Sequence, residues 1–369
     1  MVFKKISRTI AIFLPSLYGG GAEKTLLNLA AGIAARGYKV DLVLVKAQGP
    51  YLDQLPEKIR VIDLKARRSI MCYPALIRYL RYEQPECLLS AMHVNIIALI
   101  ARTFSRVSTK VIISERNTIS LLVKNTSNLR LKLISKLSRY FYPLADGIIA
   151  VSKSVAEDLS NTAKIPNRRI DVIYNPVVTP MLRKKAKVPL EHPWFVDDAP
   201  PVILAAGSLS MQKDFESLIK AFADLRRTHL ARLLILGEGE KRRELETLVR
   251  KNYLQNAVML PGFLTNPYPY MKRSAVFVLP SRWEGLPGVL IEALYCGIPI
   301  VATDCPGGTR EILSNNSYGK IVPVGDIQAL SDAIKSVLNG KVHSPTHESW
   351  KPFELDTVVD QYLELLLRV

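Results

Sequence analysis

The sequence predicts an α/β protein built from two doubly wound domains, and three observations carry that prediction. Short, β-rich apolar runs alternate with stretches whose apolar residues recur at helical spacing, the pattern of parallel strands with helices on both faces of the sheet. The alternation runs through twice. Between the two passes, around Tyr174–Pro201, it dissolves into prolines and a Lys/Arg run.

In the first pass, strands are expected at Ile10–Leu14, Val40–Val45, Glu86–Ser90, Lys110–Ser114 and Gly147–Val151, with helical stretches such as Glu23–Arg36 between them. The second pass places strands at Val202–Ala206, Arg232–Leu236, Val258–Leu260, Val276–Leu279 and Ile298–Ala302. The break holds Pro176, Pro180, the basic run Arg183–Lys187, Pro189, Pro193 and Pro200–Pro201, a linker's composition. The expected organisation is a first domain at 1–178, a linker at 179–200, a second domain at 201–345 and a terminal helix at 346–369 that returns to the first domain. In such sheets ligands sit beyond the carboxyl ends of the strands. The loops that follow strands are therefore where chemistry is sought.

Length and composition agree with this organisation. A chain of 369 residues exceeds one ordinary core and suits about two domains. With 48% hydrophobic and 22% charged residues it is neither disordered nor fibrous. Its four cysteines, Cys72, Cys87, Cys296 and Cys305, form no CxxC, which excludes a disulfide scaffold and a cysteine zinc site and fits a reducing compartment. No apolar run approaches the roughly 18–20 residues of a spanning helix. Lys4, Lys5 and Arg8 precede an apolar stretch, but it ends at Pro15 and runs into glycines, so it reads as a first strand and not as a signal peptide.

Charge is unevenly placed. Residues 1–180 hold 27 basic and 12 acidic side chains, whereas residues 181–369 hold 23 and 21. The first half therefore suits a polyanionic partner: phosphates, a nucleic acid or an anionic membrane surface. The densest basic segment, 124–143, phases as a helix with Lys132, Lys136 and Arg139 on one flank. Leu129, Leu133, Ile134, Leu137, Tyr140 and Phe141 form its apolar face, and Arg130 falls within the apolar arc. Such a helix can lie in a lipid interface; an ordinary domain helix with a wet basic flank is the alternative reading.

Four loops stand out. After the first strand, Gly19, Gly20 and Gly21 open a helix, which lets the backbone approach a ligand and aims a helix start at negative charge. The spacing fits neither a dinucleotide fingerprint nor a P-loop. His93 follows the strand at 86–90, where it can donate to a hydroxyl, although a lone histidine is also an ordinary structural residue. Ser114-Glu115-Arg116-Asn117 follows the next strand. The strongest constellation runs from Leu279 to Leu294, LPSRWEGLPGVLIEAL. There Glu284 ends the loop, Gly285, Leu286, Pro287 and Gly288 lead into a helix whose first turn suits Pro287, and Glu292 lies about a turn and a half inside it. A helix start flanked by two carboxylates can bind an anion and accept hydrogen bonds from polyol hydroxyls.

With Glu284 and Glu292 separated by seven residues in SRWEGLPGVLIEAL, and GGAEK near the amino end, the chain resembles retaining glycosyltransferase family 4. AAGSLSMQKDFESLIKAF at 205–222, LLILGEGEKRRELE at 233–246, LPGFLTNPYPYM at 260–271, CPGGTREIL at 305–313 and GKIVPVGDIQAL at 319–330 extend the likeness over nearly the whole sequence. The resemblance implies the GT-B fold, two facing Rossmann-like domains with the active site between them. It also implies that Glu284 and the amides after it hold a donor sugar, that Glu292 binds the nucleotide ribose, and that Lys213 neutralises the donor diphosphate. By the same resemblance the glycine loop closes over the diphosphate, and His93 meets the donor sugar. One departure is visible. The residue after the glycine of the AAG segment is usually arginine in the family and is Ser208 here, one neutral donor in place of a charged fork.

The matched loops contain no Ser-His-Asp set and no metal-carrying DxD pair, so no metal and no cofactor is expected. Catalysis is read as positioning plus leaving-group electrostatics from Lys213 and helix amides. Retention is read as same-face attack assisted by the leaving phosphate, in preference to a covalent intermediate on Glu284. The expected reaction moves a sugar, with an N-acetylhexosamine as the candidate, from a nucleotide-sugar expected to be a UDP-sugar to a polyprenyl-diphosphate-linked or other glycan at the membrane surface. Arg116 and Arg130 are candidates for acceptor phosphates, and Lys132, Lys136 and Arg139 for the anionic membrane, on the cytoplasmic inner face. A sugar-nucleotide epimerase and a basic nucleic-acid-binding protein are the alternatives; no aromatic and basic interleaving of a recognised module supports the second.

Overall fold

In a computed structural model, described for residues 9–18, 20–125, 129–341 and 345–368, the chain forms two units. One comprises residues up to Val177 together with those from Phe353 onward, and the other spans Val178–Pro352.

The first unit carries seven parallel strands: β1 (Thr9–Leu14), β2 (Lys39–Leu44), β3 (Ile59–Asp63), β4 (Cys87–Ala91), β5 (Lys110–Glu115), β6 (Gly147–Ala150) and β7 (Ile170–Val172). Their order across the sheet is β3-β2-β1-β4-β5-β6-β7. The second unit has six, β8 (Val202–Ala206), β9 (Arg232–Leu236), β10 (Val258–Gly262), β11 (Val276–Leu279), β12 (Ile300–Thr303) and β13 (Lys320–Val322), in the order β10-β9-β8-β11-β12-β13. Both are Rossmann-like windings that start at a central strand and reverse direction beside it. The reversal lies between β1 and β4 in one unit and between β8 and β11 in the other, and the loops leaving those strands flank the crevice where such sheets take ligands.

Helices bury the central strands on both faces, so β1, β4, β8 and β11 read as continuous apolar runs with almost every side chain out of solvent. The three strands that carried no apolar signal, β3, β7 and β13, are all sheet edges. Only one residue of each is fully buried, so each lacks a continuous buried apolar run.

Residues 179–200, expected as a linker, pack on the second unit. Thr179 caps the helix Pro180–Lys185 by accepting from the Leu182 amide. Phe195 is buried against Tyr270, their rings 5.7 Å apart, and the Arg232 guanidinium lies 5.2 Å over Trp194. The prolines here shape a fitted strap instead of a free tether. The helix Leu355–Leu366 belongs to the first unit: Val358, Val359 and Tyr362 join the core made by the helix Gly21–Ala35 and β1. At Gly32 a Cβ would come within 2.5 Å of Val359 Cγ2, so glycine is what permits this close crossing. Arg36 pairs with Asp356 and Asp360 at its rim.

Within the basic segment 124–143 lies the helix Leu129–Phe141, and Lys124 ends a separate short helix, Ile119–Lys124. Leu129, Leu133 and Tyr140 are exposed on it beside Lys136 and Arg139, Lys132 is half-buried, and Ser138 is fully buried.

Candidate active site

Two loops of the second unit, one after β8 and one after β11, meet at its reversal point. The first delivers Lys213 and the second Glu284, and their side chains form an ion pair with Nζ 2.5 Å from Oε1. Both are mostly buried, at 14% and 6% side-chain exposure. In so dry a place, removing either partner would leave the other charge buried and uncompensated. The same carboxylate oxygen accepts from Ser281 Oγ at 2.6 Å, and Ser281 is fully buried.

The surrounding bonds fix both loops. Arg282 forks onto Asp214, with Nε 3.0 Å from Oδ2 and Nη2 3.1 Å from Oδ1, which ties the loop after β8 to the loop after β11. Gln212 Nε2 donates to the Trp283 carbonyl at 2.9 Å, and Thr303 Oγ1 to the Ser281 carbonyl at 2.5 Å. The Glu284 amide donates to Pro306 O, and Gly307 lies against its carbonyl with φ +124°, where a Cβ would come within 2.3 Å of Glu284 O. The backbone of Glu284 is thus fixed at both its amide and its carbonyl, while its carboxylate is held by Lys213 and Ser281.

From this loop rises the helix Gly288–Cys296, with Pro287 at its N-cap, one residue before the first turn in which the sequence had suggested it. Gly285, Leu286, Pro287 and Gly288 therefore form the approach to a helix start with its partial positive charge. Glu292, 7% exposed, sits on the fifth residue of the helix and accepts from Tyr268 Oη at 3.1 Å. Ser208 is exposed at the mouth of the loop after β8, 3.2 Å from Ser210 Oγ.

The first unit builds its own reversal point from β1 and β4. Gly20 is the N-cap of the helix Gly21–Ala35, and His93 stands on a single helical turn, Met92–Val94, directly after β4. His93 Nε2 shares a hydrogen bond with Ser69 Oγ at 2.9 Å. Gly19 and the Arg130 side chain lie outside the described residues.

Arg116 is not at a surface, contrary to the expectation that it meets acceptor phosphates. It is 6% exposed, and its guanidinium donates to Thr25 Oγ1 at 2.7 Å, to Ser114 Oγ at 3.2 Å and to Asn175 Oδ1. It braces the helix after β1, the end of β5 and the segment after β7. Beside it, burial lifts the Glu115 carboxyl to about 7 against hydrogen bonds from Tyr142 Oη and the Arg116 amide. Among the described residues no group of three or more His, Cys, Asp or Glu is placed to hold a metal.

Sequence reasoning singled out Glu284, Lys213 and Glu292 but passed over Ser281 and the Asp214–Arg282 fork. Their signal was present. Asp214 adjoins Lys213 and Arg282 lies two before Glu284, opposite charges on the two loops that leave neighbouring strands.

Comparison with known proteins gives this arrangement a family. Residues 19–179 match the family described as Glycosyltransferase Family 4, and residues 191–352 the one described as Glycosyl transferases group 1. The chain is 32% identical over 344 residues, 89% of this chain and 90% of the other, to the N-acetylgalactosamine-N,N'-diacetylbacillosaminyl-diphospho-undecaprenol 4-alpha-N-acetylgalactosaminyltransferase of Campylobacter jejuni. A second protein of that organism, GalNAc-alpha-(1->4)-GalNAc-alpha-(1->3)-diNAcBac-PP-undecaprenol alpha-1,4-N-acetyl-D-galactosaminyltransferase, is 24% identical and aligns over 98% of both chains. Among solved structures, Anabaena HepE in complex with UDP-glucose superposes with a TM-score of 0.80 at 20% identity, covering 97% of this chain and 99% of that one, a likeness of fold. Kinship over nine-tenths of its length, together with two reversal-point sites on Rossmann-like sheets, makes the chain a family 4 glycosyltransferase of the GT-B fold.

Proposed function

We propose that the protein transfers a sugar from a UDP-sugar, with an N-acetylhexosamine as the unit moved, to a polyprenyl-diphosphate-linked glycan, with retention of anomeric configuration and without a metal. The observation that carries the donor half is the buried Lys213–Glu284 pair beneath the start of the helix Gly288–Cys296. A diphosphate entering there offers Lys213 a second anion. The ammonium then neutralises the leaving group with the helix end behind it, while Glu284, still bonded by Ser281, accepts donor-sugar hydroxyls. Glu292, oriented by Tyr268, is suited to ribose hydroxyls. Ser208 offers one neutral hydrogen bond. In the first unit, His93 and the helix start at Gly20–Gly21 supply a hydroxyl partner and a positively polarised end.

In the proposed step the bond from the anomeric carbon to the diphosphate oxygen breaks and a bond to the acceptor oxygen forms on the same face. The acceptor's proton passes to the departing phosphate oxygen, so no side-chain base is consumed. The acceptor class is supported by the two Campylobacter relatives, whose names specify undecaprenol-diphosphate-linked glycans. Among the described residues no helix is long and apolar enough to cross a membrane. Peripheral attachment at the inner face of the cytoplasmic membrane is proposed for the helix Leu129–Phe141, whose Leu129, Leu133 and Tyr140 lie exposed beside Lys136 and Arg139. Each such cation contributes about 1 kcal/mol near an anionic surface.

The test is a panel of UDP-sugars assayed with lipid-linked glycans, the product's linkage read by NMR. Transfer with an α-linked product from an α-linked donor is expected. An inverted product would remove the retaining mechanism, and no transfer to any glycan would remove the reading.

A further inference from the structure

We propose that a groove on the first unit holds the hydrocarbon chain of the lipid-linked acceptor, an inference that rests on the function proposed above. Two helices, Tyr73–Glu83 and Asn95–Ser105, pack side by side on one face of the sheet, and between them runs an open groove of about 630 Å3. That is the size of a small-molecule site. One wall is the stripe Tyr73 and Ile77, four residues apart, continued by the stem of Arg81; the other is Ile97, Ile100 and Phe104. Ile70 closes the upper end.

The lining is apolar in effect as well as in name. Arg81 turns its guanidinium away to donate to the carbonyls of Phe104 at 3.0 Å and Ser105 at 3.4 Å, the open end of the neighbouring helix, which leaves its methylenes to the groove. Ile70, Tyr73 and Phe104 remain 64%, 45% and 63% exposed. So much uncovered apolar surface marks a binding surface, and its concavity suits a single chain better than the flat plane of a bilayer.

Two features identify an amphiphile with an anionic head as the occupant. The upper end adjoins the reversal point, because Ser69, next to Ile70, is hydrogen-bonded to His93. Lys65, Arg67 and Arg68, all exposed, immediately precede that turn and complement a diphosphate placed there. The groove also borders the helix proposed to meet the membrane, since Asn95–Ser105 packs against Leu129–Phe141. A prenyl diphosphate satisfies this order of charge and hydrocarbon: head at the cations beside His93, chain between the helices.

The experiment uses the full chain and benzophenone-tagged farnesyl diphosphate as photoprobe, with labelled peptides mapped by mass spectrometry. Labelling within residues 70–104 is expected, competed by undecaprenyl phosphate but not by phosphatidylglycerol vesicles. Phe104→Ser, at an exposed position, and Ile100→Gln should each weaken it about tenfold. In transfer assays the same variants should raise KM for an undecaprenyl-linked glycan about tenfold and leave KM for a short-chain, water-soluble analogue unchanged. Labelling confined to 129–141, equal competition by the vesicles, or equal loss with both acceptors would overturn the groove. Labelling in the groove by a protein that transfers to no glycan would overturn the transferase reading and leave the prenyl site standing.

Discussion

Replacing Ser281 by alanine removes a single oxygen from a site with no solvent to take its place. Ser281 is fully buried and its hydroxyl donates at 2.6 Å to the oxygen of Glu284 that also receives Lys213. A hydrogen bond to a charged group contributes about 1.5–3 kcal/mol. While Lys213 remains paired with Glu284, most of that loss is absorbed by the ion pair. Once a diphosphate draws Lys213 away, Glu284 leans on Ser281, so the deficit falls on the donor-bound state and its transition state. The expected result is a fall in kcat/KM for the donor of roughly tenfold to a hundredfold, with a smaller change in the free protein's unfolding midpoint. Ser281→Thr, which keeps the hydroxyl, should recover most of the loss. The assay is steady-state transfer under varied donor, paired with thermal unfolding. Unchanged kcat/KM in the alanine variant, or a threonine variant as impaired as the alanine one, would refute the reasoning.

Glu284→Gln keeps the packing but loses the charge that faces Lys213, and transfer should drop on the order of a hundredfold with an unchanged circular dichroism spectrum; normal turnover would remove Glu284 from the donor site. Transfer should survive EDTA, since Lys213 and the helix end supply the positive charge at the diphosphate; loss on chelation, restored by magnesium or manganese, would contradict the proposed chemistry. Glu115, lifted to about 7 by burial, holds its proton in the folded chain above the pH at which the unfolded chain releases it. Folding stability should therefore decline as pH rises from about 4.5 to 7 and then level from this group; denaturant titration of Glu115→Gln should lack that component, and an identical slope in both proteins would show that Glu115 does not titrate there.

The legibility of the sequence followed burial. Central strands such as β1, β8 and β11 are apolar throughout because helices cover both faces, so they stand out without a partner in view. The edges β3, β7 and β13 keep few buried positions and look like loops until a neighbouring strand supplies the hydrogen bonds. Glu292 was legible because a carboxylate inside an apolar run costs too much to be idle, and Glu284 because it ends the loop before a helix start. Arg116 misled for the opposite reason: a cation in a polar loop suggests solvent, and only the fold brings Thr25, Ser114 and Asn175 around it. The Asp214–Arg282 fork joins residues 68 apart, so its opposite charges could be paired only once the loops after β8 and β11 were placed side by side.

The interleaved order of the two units constrains how the chain matures during synthesis. The helix Leu355–Leu366 completes the hydrophobic core over Leu26, Leu29 and Ile33, yet the whole second unit is translated between those residues and it. At ordinary elongation speeds the interval lasts on the order of ten to forty seconds, and throughout it the unit begun first presents an uncovered apolar helix face. The second unit, continuous from Val178 to Pro352, can close meanwhile. The first unit is therefore begun before the second but can be completed only after it, when the helix Leu355–Leu366 covers the helix Gly21–Ala35.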